Sequence, residues 1–408
     1  MVKPIVAKSK TLNLQAEIDR AIISEGVVHL PAGRFETETL NIKGSVWLQG
    51  IPGHTVLVSL GGDPILSIAD AQNVSISGIS FAGTNAKLTE VQAKSALVIA
   101  RSCENLRIED CIFSDSKNSG LSLDRCSGQI SSCHFTELGQ YGIFAWNSKG
   151  LVISNNDVSQ IGNNGILVWR AELSEDGTQV LGNRVHNIRA DAGGDGQNGN
   201  GINIFRAGNV ITANNRVSDT AFSSIRYNSG SNAQILGNSL SRSGEVALFV
   251  EFSYEGAIVA NNIIDDAQWG IEITNLDVGG RLGVCSGNLI RNIRGGPLAD
   301  AGESAGIIAE GETLISNNVL ENIITIGIRL GWGPYARNLM AQGNIIRNCE
   351  RGIVVTTSEG AGQQMVTGNM ISGAKLGGIQ GMDYNTVTLT DMLKAPPHIS
   401  ISNNTITV

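Results

Sequence analysis

From residue 142 to residue 270 the sequence repeats itself in five-residue lines, each opening just after a small residue. The lines are Ile143-Phe144-Ala145-Trp146-Asn147, Ile166-Leu167-Val168-Trp169-Arg170, Ile202-Asn203-Ile204-Phe205-Arg206, Ile225-Arg226-Tyr227-Asn228-Ser229, Leu248-Phe249-Val250-Glu251-Phe252 and Ile271-Glu272-Ile273-Thr274-Asn275. The small residues are Gly142, Gly165, Gly201, Ser224, Ala247 and Gly270, spaced 23, 36, 23, 23 and 23 residues apart. A second marker keeps step with them, an Asn followed two places later by an aliphatic residue, at Asn156, Asn183, Asn215, Asn238 and Asn262. Both continue toward the C-terminus, at Gly306, Gly327, Gly352 and Gly378 and at Asn288, Asn318, Asn344, Asn369 and Asn404. A repeat of this length describes stacked units, none able to bury its apolar face alone.

The units hold two or three short alternating segments, such as Leu151-Val152-Ile153 and Gln234-Ile235-Leu236, too short for helices. The 50 glycines and 16% charged residues fit many short strands and turns. The expected fold is therefore all-β, a single-stranded parallel β-helix forming one domain over 1–408, regular from residue 96. Residues 11–24 place Leu14, Ile18, Ala21 and Ile22 on one face of a short helix with Asn13 as N-cap, a cover for the open end of the stack. A column of Asn at one turn lets amides bond to those above and below, which removes the cost of burying them. Glycine before each line suits either an unusual backbone angle or close packing of coils.

The helix, the segment Leu30-Pro31-Ala32-Gly33-Arg34-Phe35 and the Asn-ladder coils resemble the right-handed parallel β-helix of the pectate-lyase-like superfamily. More narrowly, the Asn-Gly-Ile-x-Ile and Asn-Asn-x-Val units resemble a family of uncharacterised twin-arginine-translocated repeat proteins. That resemblance implies a periplasmic or secreted protein exported already folded. No twin-arginine signal is present, and residues 1–10 lack the apolar core of a signal peptide. The fold hosts lyases, hydrolases, epimerases and inert tail proteins, so activity must be read from the residues.

Two units are 36 residues long, Ile166–Gly201 and Ile271–Gly306, and each inserts after a matching Asn-Ile-Arg triplet. The inserts, 190–200 and 295–305, are expected to protrude from one edge about 19 Å apart, framing a slot for a few sugar units. The first carries Asp191, Asp195, Asn198 and Asn200, oxygen donors that a Ca²⁺ loop would need. Their spacing matches no defined loop, and a solvated turn without metal is the favoured reading.

In each line positions 1 and 3 are apolar and point inward, so positions 2 and 4 face out. The outward set gathers Trp146, Trp169, Asn203, Phe205, Arg226, Asn228, Glu251, Glu272, Glu310 and Arg329, with Arg170, Arg206 and Trp332 beside them. Flat rings stack on sugar faces and charged groups grip hydroxyls, so the face reads as a glycan groove; an apolar seam between protomers, as in a homotrimer, is the competing reading. Glu251 and Glu272 lie one coil and two residues apart, about 8 Å between Cα atoms, within the ~6.5–9.5 Å carboxylate spacing of inverting glycoside hydrolases. With Arg226 beside Glu251, the assignment is Glu251 as base and Glu272 as acid; Glu272 and Glu310 share the same offset and form an alternative pair.

A uronate lyase would use arginines such as Arg206, Arg226 or Arg329 to neutralise a carboxylate, and a non-catalytic glycan-binding protein would use the face without chemistry. The net charge of −8 gives no pull toward nucleic acid or anionic membrane, and no apolar run reaches the ~20 residues of a spanning helix. Five scattered histidines support neither a zinc site nor a Ser-His-Asp triad, and Gly194-Asp195-Gly196 lacks the strand-to-helix setting of a nucleotide loop. Cys111 and Cys133 hold matching positions, as stacked thiols or as a disulfide.

Overall fold

The computed structural model describes residues 13–24, 26–60, 62–84, 95–194, 196–297 and 304–407. Short parallel strands wind through it coil upon coil, as their two-residue alternation requires. The first strand of each coil joins a 15-stranded sheet whose order follows the chain, each strand pairing with the one three strands or fewer away. After a tight turn the chain forms a second face, bends, and forms a third. Strands such as Ser239–Glu251 and Ile263–Ile273 run continuously around that bend, so the second and third faces share one sheet assignment. Among the described residues the antiparallel pair is Met370–Asp383 with Thr386–Leu389.

The register aligns the repeat marker by marker. Ile202 pairs with Ile225, Ile225 with Leu248, Leu248 with Ile271 and Ile271 with Ile307, each wholly buried. Phe81, Phe113 and Phe135 stack through the N-terminal core with centroids 5.3 and 4.5 Å apart. The capping helix spans Leu14–Ser24, burying Leu14, Ile18 and Ala21, and Asn13 accepts the Ala16 N–H at 3.1 Å as the expected N-cap.

The turn between the first and second faces carries the amide ladder. Each Asn side chain donates to the Oδ1 of the next, from Asn156 through Asn183, Asn215, Asn238, Asn262, Asn288, Asn318, Asn344 and Asn369 to Asn404, at 2.9–3.0 Å. The same Oδ1 also accepts the backbone N–H of the Asn one coil earlier, as Asn262 does from Asn238 at 2.9 Å. The second amide hydrogen goes to a backbone carbonyl of the coil before, as Asn262 donates to Ile235 O at 3.0 Å. All four hydrogen-bonding positions of a buried amide are thus filled.

The residue before each ladder Asn takes the left-handed conformation, which explains why it alternates between Asn (φ 58 at Asn261) and Gly (φ 68 at Gly287). The glycine before each line answers to packing alone: a Cβ at Gly165 would lie 2.5 Å from the Gly201 carbonyl oxygen. Below Asn156 the ladder column is occupied by Cys133 and Cys111. The Cys133 N–H donates to Asn156 Oδ1 at 3.0 Å, and all six cysteines are buried and free, so the matched pair is a stack of thiols rather than a disulfide.

Replacing Asn262 by Ala should leave the donors of Asn238 unpaired in the core and lower unfolding stability by more than about 3 kcal/mol. Asn404→Ala, at the half-exposed end, should cost about 1 kcal/mol or less. Urea unfolding of both variants checks this; equal losses would mean that the ladder is not a continuous element.

Candidate active-site cleft

Two outward columns run up the third face. One reads Asn203, Arg226, Phe249, Glu272, Ile308 and Arg329 in pairing order. The other places Trp146 beside Trp169, Phe205, Asn228 and Glu251 in turn. The columns follow the sequence, but several of these side chains are far less exposed than alternation alone implies.

The first long loop accounts for part of this. It folds back over the third face instead of standing away from it. Asn164 Nδ2 donates to Gln197 O at 3.0 Å, and Asn200 Nδ2 donates to Asn164 Oδ1 at 3.1 Å and to Gly196 O at 2.8 Å. Gly196 rests so close to Arg226 that a Cβ there would meet Nη1 at 1.8 Å. Asp191 pairs with Arg189 at 2.9 Å and Asn198 donates to Gly193 O at 2.9 Å, so neither is turned toward a shared cation; Asp195 lies outside the described residues. Among the described residues no group of three or more His, Cys, Asp or Glu is placed to hold a metal. Of the second loop, 298–303 lie outside the described residues, and Gly296 rests against Gln268.

Several expected sugar contacts have other partners. Arg170 turns inward, donating to Ser148 O at 2.8 Å and Ser174 Oγ at 2.6 Å and pairing with buried Asp176 at 3.2 Å. Burial is the main reason that the Asp176 carboxyl is raised. Asn203 is buried and accepts the Trp169 indole N–H at 3.1 Å. Trp169 packs edge-on to Phe205 at 5.6 Å, and Arg206 lies over the Phe205 ring while donating to Ala171 O at 2.6 Å. Arg329, only 1% exposed, stacks on Trp332 at 4.2 Å and donates to the carbonyls of Gly331 and Tyr384. It anchors a wall; it does not reach out for ligand.

Glu251 is likewise held. Arg226 grips it through the Nε–Nη2 edge of the guanidinium, Nε to Oε1 at 2.6 Å and Nη2 to Oε2 at 3.0 Å, and Asn228 donates to Oε1 at 2.9 Å. With both oxygens hydrogen-bonded and only 2% exposure, Glu251 is tied into the fold and does not face the open cleft.

What remains open is a cleft of about 330 Å³ lined by Glu245, Phe249, Trp269, Glu272, Glu310 and Trp332 among others. Glu245 and Trp269 were not legible as site residues, because they sit on the bend just before the small-residue marker and outside the five-residue lines. Glu245 accepts from Ser223 Oγ at 2.9 Å and lies 3.8 Å from Arg226. Glu310 accepts the Leu276 N–H at 2.9 Å.

The sequence matches the family described as right handed beta helix region over residues 54–185 and 171–333, together more than half of its length. The chain belongs to the right-handed β-helix family. No curated protein sequence matches it. Among solved structures, this β-helix is similar to a PL6-family alginate lyase (15% identity, TM-score 0.57, covering 90% of this chain and 52% of that one). It is also similar to the catalytic unit of an α-1,3-glucanase from Streptomyces thermodiastaticus (15%, 0.51, 97% and 65%) and to a fragment of gene product 12 of bacteriophage Phi29 (16%, 0.53, 96% and 63%). At such identities the likeness is one of fold, and this β-helix spans about two-thirds or less of each of those chains. No helix among its described residues is long and apolar enough to cross a membrane.

In the cleft of this β-helix, burial lifts the Glu272 carboxyl to about 8, aided by the charges of Glu245, Glu251 and Glu310. Burial lifts Glu310 to about 7, opposed by the N–H groups of Leu276 and Asn275. Two carboxyls thus share a site, both raised by burial, and Glu310 alone of the two accepts a backbone N–H that favours its charged form.

Because the folded state raises the Glu272 pKa above its ordinary 4.5, the stability contributed by the neutral form is complete below about 4.5 and lost as pH rises through about 8. Glu272→Gln should therefore raise the melting temperature above about pH 8 and make little difference at acid pH. A variant that melts no higher than the parent at alkaline pH would show Glu272 to be ionised without penalty.

Proposed function

We propose that the protein hydrolyses a glycosidic bond in a polysaccharide or oligosaccharide, with inversion, using Glu272 as general acid and Glu310 as general base. The observation that carries this reading is the pair of buried carboxyls, one coil and two residues apart, inside an aromatic-walled cleft. The pair has the offset of one coil and two residues, so its Cα atoms stand about 8 Å apart, which suits a water held between base and sugar. Glu272 holds its proton at neutral pH and can deliver it to the leaving oxygen, while Glu310, steadied by backbone N–H groups, is the first to ionise. Trp269 and Trp332 offer flat faces for the apolar side of a sugar ring.

Carbohydrate as substrate class is also consistent with the glucanase and alginate lyase among similarly folded structures. The electrostatics favour a sugar without a carboxylate. Arg226 is committed to Glu251 and Arg329 to Trp332 and backbone carbonyls, so neither is poised to neutralise a uronate beside the four glutamates. The narrower resemblance to twin-arginine-exported repeat proteins would put that polysaccharide in the periplasm or outside the cell.

A panel of neutral, cationic and uronate polysaccharides tests the reading. New reducing ends without the ultraviolet absorbance of an unsaturated uronate are expected; absorbance appearing with them would assign elimination instead, and binding without either product would make the protein a non-catalytic module. On a cleaved substrate, Glu272→Gln and Glu310→Gln should each lower kcat by about 10²-fold or more. The rate should fall on both sides of an optimum between about 7 and about 8, as Glu310 protonates below it and Glu272 ionises above it. Full activity in both variants would remove these residues from the mechanism.

A further inference from the structure

The turn that carries the amide ladder changes character half-way along the solenoid. On the second face, the outward position just after the turn reads His134, Asp157, Arg184, Arg216 and Ser239 through five successive coils, all polar, above Ile112. From the next coil onward the same column reads Ile263, Leu289, Val319, Ile345 and Met370. On the first face, the outward position just before the turn changes with it. Gln129, Val152, Gln179, Ile211 and Gln234 give way to Ile258, Val284, Leu314, Met340 and Met365. These side chains are not core. Ile263 is 46% exposed, Met370 54% and Ile258 45%, and the others are exposed or half-buried. Five consecutive coils thus present two apolar columns to solvent, where isolated apolar residues would be unremarked but a continuous patch marks a contact surface.

Charge frames this patch on both sides, in a fixed order. Along the second face run Asp265, Arg291, Glu321 and Arg347, one per coil. Along the first run Glu255, Arg281, Glu312 and Arg337 in the same coils. Each row is joined within the chain: Arg291 to Asp265 at 2.8 Å, Arg281 to Glu312 at 3.1 Å, Arg337 to Glu312 at 2.9 Å, with Arg281 also on Glu255 and Arg347 on Glu321. Both rims read minus, plus, minus, plus. An apolar centre with a charged rim is the anatomy of a protein interface.

We propose that this surface binds a second copy of the chain, with the two solenoids antiparallel about a two-fold axis that crosses the patch between the coils of Leu289 and Val319. Turning an alternating row end over end about that point sets plus against minus at all four positions, Asp265 opposite the partner's Arg347 and Arg291 opposite the partner's Glu321. The first-face rim is matched in the same operation. An in-register parallel pairing sets like charges together along both rims and is disfavoured. The pattern is self-complementary only as an isologous contact, which closes at two copies. In size, the four coils matched across this axis at ~4.8 Å give a length of about 19 Å, and the ten residues from rim to rim at ~3.3 Å each, which round the turn, give at most about 33 Å of width. That is at most about 600 Å² per partner, smaller than the ~800 Å² of a standard interface and in the range of a concentration-dependent dimer. The patch lies at the turn between the first and second faces, away from the third-face cleft, so dimerisation leaves both clefts open and stands independently of the proposed hydrolysis.

Sedimentation velocity over a concentration series should show a species of twice the chain mass. Val319→Asp, a change at an exposed position, should shift it to monomer with unchanged circular dichroism and melting of the monomer fold. To read direction, a spin label at exposed His134→Cys should report a label-to-label distance of about 62 Å, thirteen coil steps, in the antiparallel dimer. A protein that stays monomeric at all concentrations, a dimer indifferent to Val319→Asp, or a label distance below about 30 Å would each overturn the proposal.

Discussion

The whole stack depends on one constraint, that a polar side chain buried at a turn must find every partner it needs. Asn meets it here because its amide offers two donors and two acceptor positions in a plane, and neighbouring coils at one strand spacing supply matching groups above and below. Once the amide is fixed, the residue before it must turn left-handed, the strands on both sides are locked in register, and the apolar positions fall into columns. Slippage by one residue would break every rung at once, which is why a chain with few large side chains can hold so long an array in one alignment.

The glutamates impose the opposite demand. Glu245, Glu251, Glu272 and Glu310 crowd one region of the third face, with Arg226 hydrogen-bonded to Glu251 and 3.8 Å from Glu245. Glu251 repays its burial through Arg226 and Asn228, whereas burial and the neighbouring carboxylates hold Glu272 toward its neutral form, so its ionised form works against stability.

The columns were readable from the sequence because each recurs at a nearly constant interval over many coils, and the register of Ile202, Ile225, Leu248 and Ile271 is what the spacing required. The cleft was only half readable. Alternation tells which side chains leave the barrel, but not what lies over them afterward. Residues 196–200 close over Arg226, and the antiparallel hairpin brings Tyr384 onto Trp332 and Arg329, so outward did not mean exposed. Arg170 misled for another reason: its turn curls back and gives the guanidinium a buried partner, Asp176, six residues away. Glu245 and Trp269 escaped because bends, unlike strands, repeat without a fixed residue type.

The amide column also has a sense. Every Oδ1 faces the N-terminal coils and accepts from them, while one Nδ2 hydrogen of each Asn points to the next coil toward the C-terminus. Ten side-chain dipoles aligned in this way add along the axis as peptide dipoles add in a helix, here with the negative pole toward Cys133. The two ends of the column are therefore unequal as places to extend it. A coil grafted after Asn404 that brought its own Asn would continue the column, whereas toward the N-terminus the column already stops at the Cys133 and Cys111 thiols, which neither donate nor accept strongly enough to carry it further, and the coils before them stack without it.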